Sequence, residues 1–301
     1  MTAKLHPGGL GRVGTKTLAR VGYGAMQLDE SVSPEDAAAI LRHAVELGVN
    51  HIDTASFYGE GVANSLIRQA LAPYDDDIVI VSKVGAAHTT DGPIPLKAAQ
   101  KPAELRAAVE DDLRQLGLDC VPVVNLRRLD LGPGLRPEGD QLVDLDDQLA
   151  EMIALRDAGK IGAIGISSVP IDVVRRALPA GIVCVQNAYS VLDRGHEELL
   201  DFCIAEGIAW VPYFPLGSAF AGFPNVADNP VVAEVAGEIG ASPAQVGLAW
   251  LLAHASNTLL IPGTRSITHL EENIGAANVS LSADALARLD AVSTPADSPQ
   301  H

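Results

Sequence analysis

The chain has 301 residues, 48% of them hydrophobic, and a formal net charge of −17 at pH 7. That charge argues against nucleic-acid and anionic-membrane partners, which need basic patches; the apolar runs fall far short of a membrane span, and residues 1–20 lack a signal-peptide apolar core. Three cysteines (Cys120, Cys184, Cys203) without C-x-x-C spacing read as buried thiols of a reducing, cytoplasmic compartment, and the eight histidines show no metal-ligand spacing, so no metal is expected.

Residues 1–20 scatter Gly8, Gly9, Gly11 and Gly14 among short apolar pieces, which predicts a small hairpin ahead of the main fold. A first strand over 18–24 ends in Gly22-Tyr23-Gly24-Ala25-Met26, where Gln27 replaces the third glycine of a dinucleotide fingerprint. Ser33-Pro34-Glu35-Asp36 opens the first helix with an N-cap serine, proline at N1 and a capping acid. Ile40, Leu41, Ala44, Val45 and Leu47 recur at helical spacing until Gly48 stops it. A strand at 50–53, a helix over 61–71, a strand at 78–83, a polar loop to about 101 and a helix over 102–116 follow. The alternation continues with strand 120–125, a Gly/Pro-rich loop over 127–141, helix 143–158 and strand 161–167. Helix 171–178, strand 182–186, helix 196–206 and strand 208–213 come next. After a long loop over 214–230 lie helical segments, one capped by Ser242-Pro243-Ala244-Gln245. Strand 258–261, a helix from about Ser266 and a last helix over 281–292 close the chain, with a disordered tail expected from Ser293.

Eight strands, each followed by helix and with no linker-like break, imply a parallel sheet. Eight such units imply an α/β chain folded as one (β/α)8 TIM barrel over residues 1–301, with an N-terminal hairpin and a C-terminal extra helix. Sites in such barrels form at the C-terminal strand ends. Here those ends read Gly24, Asp53, Lys83, Asn125, Ser167-Ser168, Gln186-Asn187, Tyr213 and Gly263-Thr264-Arg265. Asp53 closes one short apolar strand and Lys83 the next, so neighbouring parallel strands would bring carboxylate and ammonium together at the rim. Tyr58 lies on the loop just beyond. A phenol beside an ammonium gives up its proton more readily, which is general-acid chemistry. On these residues alone a structural ion pair with a packing aromatic stands about level with that reading.

The stretches "HIDTASFYG", "VSKVG", "IGISS", "VQNAYS", "VPYFPLGS" and "IPGTRSITHLEEN" stand in an order and spacing that resemble an aldo-keto reductase over nearly the whole chain. The resemblance implies Asp53, Tyr58 and Lys83 as catalytic residues, with Tyr58 protonating a small-molecule carbonyl substrate as NADPH delivers hydride. The family's fourth catalytic position, usually histidine, is assigned to Asn125, which can donate a hydrogen bond but cannot replace an imidazole as proton carrier. "VVNLR" resembles one subgroup, which includes bacterial enzymes reducing pyridoxal to pyridoxine. For the cofactor the resemblance implies Gly24 and Ala25 near the rim, Ser167, Ser168 and Gln186 on the carboxamide, and Tyr213 stacked on the nicotinamide. It places Phe214, Leu216, Gly217 and Ser218 along the pyrophosphate. Gly263, Thr264, Arg265 and His269 would surround the 2′-phosphate, with Glu272 and Asn273 at the adenine. Met26, Phe57 and the loop over 127–141 are candidates for the substrate pocket. His51 is expected to be a hydrogen-bonded interior residue. A monomer or weak oligomer is expected. Two other functions compete: a Schiff-base lyase using Lys83, and a non-catalytic barrel that senses nucleotide or binds a partner.

Overall fold

The computed structural model describes residues 5–91, 94–132, 134–218 and 224–292; the tail expected to be disordered lies outside them apart from its approach. The chain opens with the antiparallel hairpin β1 (Leu10–Val13) and β2 (Lys16–Ala19), with Leu10 opposite Ala19. Then the βα alternation begins: β3 (Tyr23–Gly24), α1 (Pro34–Glu46), β4 (His51–Asp53), α2 (Val62–Leu71) and β5 (Val79–Val84). The segment read as a polar loop carries a second small hairpin, β6 (Ala86–His88) with β7 (Leu96–Ala98). These strands are too short to show a two-residue period, which is why the sequence pattern does not reveal them.

There follow α3 (Pro102–Leu116), β8 (Val123–Arg127), α4 (Leu145–Asp157), β9 (Ile164–Ser167), α5 (Ile171–Ala177), β10 (Ile182–Gln186), α6 (Glu197–Glu206) and β11 (Ala209–Trp210). The last four helices are α7 (Pro230–Ile239), α8 (Pro243–His254), α9 (Ile267–Gly275) and α10 (Ala283–Asp290). Serine caps begin several of them: the side chains of Ser33 and Ser242, as the sequence predicts, and of Ser266 and Ser282 each accept from a backbone N–H three residues on.

Seven strands form one parallel sheet in the order β11-β10-β9-β8-β5-β4-β3. The expected eighth strand, 258–261, joins its two edges through isolated bridges rather than a ladder. Leu259 N donates to Trp210 O at 2.8 Å, Leu260 N to Arg20 O at 2.7 Å, and Gly22 N to Leu260 O at 2.8 Å. The sheet is therefore a closed barrel, with no free edge at β3 or β11.

Two apolar layers hold it. The inner one gathers inward-facing residues of alternate positions, Val79, Val81, Val123, Cys184, Ala209, Val211, Leu259 and Ile261. The outer one lies between the strands and the helical ring. Val13 and Leu18 of the hairpin belong to the inner layer. The hairpin sits against the strands' N-terminal ends so closely that a Cβ on Gly11 would lie 2.4 Å from Leu259 Cδ2, and one on Gly14 2.9 Å from Val183 Cγ1. The N-terminal mouth is thereby stoppered, leaving the other rim for chemistry.

Candidate active site

Parallel pairing in register carries Asp53 beside Gly24 and opposite Val81, two residues below Lys83 on the same face of β5. The lysine side chain bridges that step back to Asp53. Lys83 Nζ lies 2.5 Å from Asp53 Oδ1 and donates to Thr54 O at 3.0 Å, while Gln186 Nε2 donates to Asp53 Oδ2 at 2.9 Å. The two charges are only 5% and 3% exposed, so neither has water to replace its partner. Burial is the largest single influence on the Lys83 pKa and would lower it. The Asp53 carboxylate and the Tyr58 hydroxyl together outweigh burial, so the value is raised and the amine is held as ammonium.

Tyr58 opens a short 3-10 turn, Tyr58–Gly61, in which Gly59 and Glu60 both take left-handed φ, 58° and 55°. That tight reversal turns the ring back over the rim. Lys83 Nζ lies 4.9 Å from its centroid, and Phe57 meets it edge-on at 5.2 Å.

Two cavities open at this rim. The smaller, about 380 Å³, is lined by Phe57, Met26, Ile94, Leu96 and Leu135 among apolar side chains and by Tyr58, Lys83, Ser167, Gln186 and Tyr213 among polar ones. The larger, about 690 Å³, is a cleft running from Asp53, Tyr58 and Lys83 past Gly24, Tyr213, Phe214, Leu216, Gly217 and Ser218. It ends at Gly263, Thr264, His269, Glu272 and Asn273. Tyr58 and Lys83 stand at the junction and line both, as do Met26, Tyr213 and Phe214. Phe214 takes a left-handed φ of 54°, a strained conformation for a bulky residue, and its ring meets Tyr213 edge-on at 5.1 Å.

Four sequence-predicted residues lie outside both cavities. Asn125 is fully buried in the barrel interior, where its Oδ1 accepts from Cys184 Sγ at 3.3 Å and Gly165 leaves it room. It pairs in register with Lys83, but its side chain is too short to climb to the rim as the lysine does. Ala25 is buried beneath the rim. Ser168 is buried, with φ of 59°, and its hydroxyl lies 3.4 Å from both Ser167 Oγ and the Tyr213 hydroxyl. Arg265 turns away from the cleft, donating to Ser31 Oγ at 2.7 Å with Asp29 Oδ1 3.8 Å off. Ser31 holds the Asp29 carboxyl below its usual range, by its hydroxyl and then its backbone N–H, with Arg265 adding to the effect.

The loop over 127–141, expected at the substrate pocket, supplies Arg127 and Leu135 to the smaller cavity, and the structure adds His88 and Asp29, which sequence reasoning did not single out. Arg127 ends β8, one turn of the pleat above Asn125, and lines the smaller cavity with His88 and Asp29. The signal was the two-residue alternation Val123, Asn125, Arg127, continued one step past the expected strand end. Behind the ion pair lies a buried polar relay. Thr54 Oγ1 donates to Asn64 Oδ1 at 2.7 Å, Asn64 Nδ2 to Asp112 Oδ1 at 2.8 Å, and Ser82 Oγ to Asp112 Oδ2 at 2.6 Å. Burial pushes the Asp112 carboxyl up to about 7 against the opposing pull of those donors. His51 is interior as expected, but its Nδ1 has no partner among the described residues, and burial pulls the imidazole down to about 4.

A closed parallel βα barrel with an Asp–Lys pair beneath a tyrosine, at the meeting point of a long cleft and a compact pocket, belongs to a defined class: the chain is a member of the aldo/keto reductase family, whose model matches residues 20–294. It is 44% identical over 290 residues to the pyridoxine 4-dehydrogenase of Escherichia coli (strain K12), covering 93% of this chain and 97% of that one. It is 33% identical to an uncharacterized oxidoreductase of Schizosaccharomyces pombe, covering 93% and 88%. Among solved structures, an aldo/keto reductase from Klebsiella pneumoniae in complex with NADP and acetate superimposes with a TM-score of 0.79 at 26% identity, covering 97% and 98%.

Proposed function

We propose that the chain reduces an aldehyde or ketone to its alcohol with NADPH, that Tyr58 donates the proton to the carbonyl oxygen, and that pyridoxal is its substrate. The observation carrying this reading is the position of Tyr58 and Lys83 at the junction of the two cavities. An acid there reaches a carbonyl in the smaller cavity while a nucleotide occupies the longer cleft.

The residues present fit NADPH. Gln186 Oε1 is buried without a partner among the described residues, an acceptor suited to the carboxamide N–H of a nicotinamide. At the strand ends the backbone itself forms the wall: a Cβ on Gly24 would lie 2.4 Å from Ile261 O, and one on Gly263 2.6 Å from Gly24 O. Ser167 and Gln186 would hold the carboxamide, Tyr213 the ring face, residues 214–218 the pyrophosphate, and Thr264, His269, Glu272 and Asn273 the adenosine end. Arg265 would have to release Ser31 to reach a 2′-phosphate. When bound, the cofactor supplies hydride.

The protein's own part is the proton. Lys83, held as ammonium by Asp53, stabilises negative charge developing on the Tyr58 oxygen as its proton leaves. Asp53 is fixed by Gln186 and so cannot drift from the lysine. The raised Lys83 pKa also disfavours a Schiff-base lyase, which needs a neutral amine. The 44% identical pyridoxine 4-dehydrogenase supports pyridoxal as the carbonyl compound. The test is NADPH oxidation by the purified chain against a set of aldehydes with pyridoxal among them, in parent and Tyr58→Phe. Turnover of pyridoxal that survives in Tyr58→Phe would remove the tyrosine, and turnover of no aldehyde would remove the reaction.

A further inference from the structure

The charges lining the smaller cavity do not cancel. Lys83 is matched by Asp53. Asp29 is engaged by Ser31 and faces Arg265. His88 Nδ1 lies 3.9 Å from Glu60 Oε2. Arg127 is left over: among the described residues no carboxylate and no hydrogen-bond acceptor meets its guanidinium. Its neighbours are the Phe57 ring, 6.0 Å from Cζ, and the Tyr213 hydroxyl, whose pKa burial raises despite the opposing pull of Ser168 and of the Arg127 charge. The cation therefore lies at the wall of the cavity that Phe57, Tyr58, Lys83 and Tyr213 also line.

Nor is it loosely placed. Arg127 pairs in register with Ser167 on β9, and its carbonyl accepts from Gln100 Nε2 at 2.8 Å. Gln100 is itself buried and donates to Gly85 O, with Gln148 Nε2 reaching its backbone O at 2.9 Å. Gly85, with φ of 108°, has to be glycine there, since a Cβ would lie 2.2 Å from Arg127 O. The guanidinium has five N–H donors in a planar fork and no carboxylate against it, so an anion entering the pocket would find them free of a protein partner among the described residues. In a chain of net charge −17, which repels anions in general, such a cation makes one point of this pocket selective for them.

We propose that Arg127 is the specificity-determining residue of the smaller cavity, and that it binds an anionic oxygen carried beside the carbonyl group on a flat, ring-bearing substrate. This rests on the carbonyl-reduction reading above. The apolar walls Phe57, Ile94, Leu96 and Leu135 take the ring, Tyr58 the carbonyl oxygen, and the guanidinium fork a phenolate or carboxylate. The planar fork suits such oxygens better than the point charge of a lysine.

Two measurements test it. In the first, kcat/KM is compared for 2-hydroxybenzaldehyde, 2-carboxybenzaldehyde and unsubstituted benzaldehyde in parent, Arg127→Met and Arg127→Lys. The parent is expected to prefer the oxyanion-bearing aldehydes, and Arg127→Met to lose that preference by at least about tenfold, mainly through KM, the size of one charge-assisted hydrogen bond. Arg127→Lys should restore part of it. Equal losses on all three aldehydes would overturn the proposal. In the second, salicylate and benzamide are titrated calorimetrically into parent and Arg127→Met, each checked for native circular dichroism. Salicylate should bind more tightly than benzamide to the parent alone. If the parent turns over no aldehyde yet shows this Arg127-dependent binding, the anion site stands and the reaction reading falls. If salicylate gains nothing from Arg127, the proposal falls whatever the turnover.

Discussion

Replacing Lys83 with methionine keeps most of the stem and removes the charge, and the structure dictates where the damage lands. The ammonium lies 2.5 Å from Asp53, donates to Thr54 O at 3.0 Å and sits 4.9 Å from the Tyr58 ring centroid. Without it the Asp53 carboxylate keeps one neutral donor, Gln186 Nε2, and lies almost wholly out of water. Deleting one partner of a buried pair costs about 3–5 kcal/mol, because the other charge remains uncompensated. For a chain of this size that is a fall in melting temperature of roughly 5–8 °C. Urea unfolding followed by circular dichroism is the assay, with Asp53→Leu and the double variant completing a cycle. The double variant should be less destabilised than the two single losses summed, since neither charge is then orphaned. Two pH effects separate this from a packing defect. Protonation relieves an orphaned carboxylate, so the gap between Lys83→Met and parent should narrow as pH falls. Lys83 has a raised folded-state pKa, so its stabilisation is complete below the ordinary lysine value and is lost as pH rises through the folded value. The parent should therefore weaken in alkali more steeply than Lys83→Met. A variant that unfolds within about 1 kcal/mol of the parent at neutral pH, the range of exposed pairs, would refute the rim geometry.

Tyr58→Phe should keep NADPH binding and lose the chemical step by about 10²–10⁴-fold, read by single-turnover kinetics; a change of only a few-fold excludes it as the acid. Arg265 is half exposed and held by Ser31 beside Asp29. Arg265→Ala should accordingly weaken NADPH by only about fivefold, the scale of an exposed pair, with NADH unchanged. Asp29→Asn should tighten NADPH, and fluorescence titration of both nucleotides reports each. Asp112 has its folded value raised to about 7 from an unfolded value near about 4, so the stability of its neutral form is present in acid and lost as pH rises through 7. The urea midpoint of the parent should carry a descending limb over that window that Asp112→Asn lacks, and parallel curves would show that Asp112 does not titrate there.

The barrel was legible because apolar strands run into polar residues at the rim and several helices start with a serine cap, both short-range signals. Asp53, Lys83 and Tyr58 were readable for the same reason: two neighbouring parallel strands must bring their ends together. Asn125 was expected at the rim, and lies below it, because strand ends were judged by where the apolar run stops. Leu126 and the aliphatic stem of Arg127 continue the strand beyond that polar residue, and the ladder runs to Arg127. How far a side chain reaches decides which residue touches the pocket, and that depends on depth in the barrel. Arg265 was expected at a phosphate on its charge and its helix start; Ser31 and Asp29, more than two hundred residues earlier, compete for it. The Asp112 relay joins α2, α3, β5 and the residue after β4, and no local pattern announces it.

The N-terminal hairpin makes the barrel a vessel with a floor. Everything that enters or leaves, substrate, product and nucleotide alike, must use the one open end. The floor also keeps the inner apolar layer dry under Asp53 and Lys83, so the strength of their attraction is set partly by residues that never approach them. Removing β1 and β2 would let water rise from below along Val79, Val81 and Val123 toward the pair. The lysine would then behave more like one in solution, though every residue at the upper rim would be unchanged.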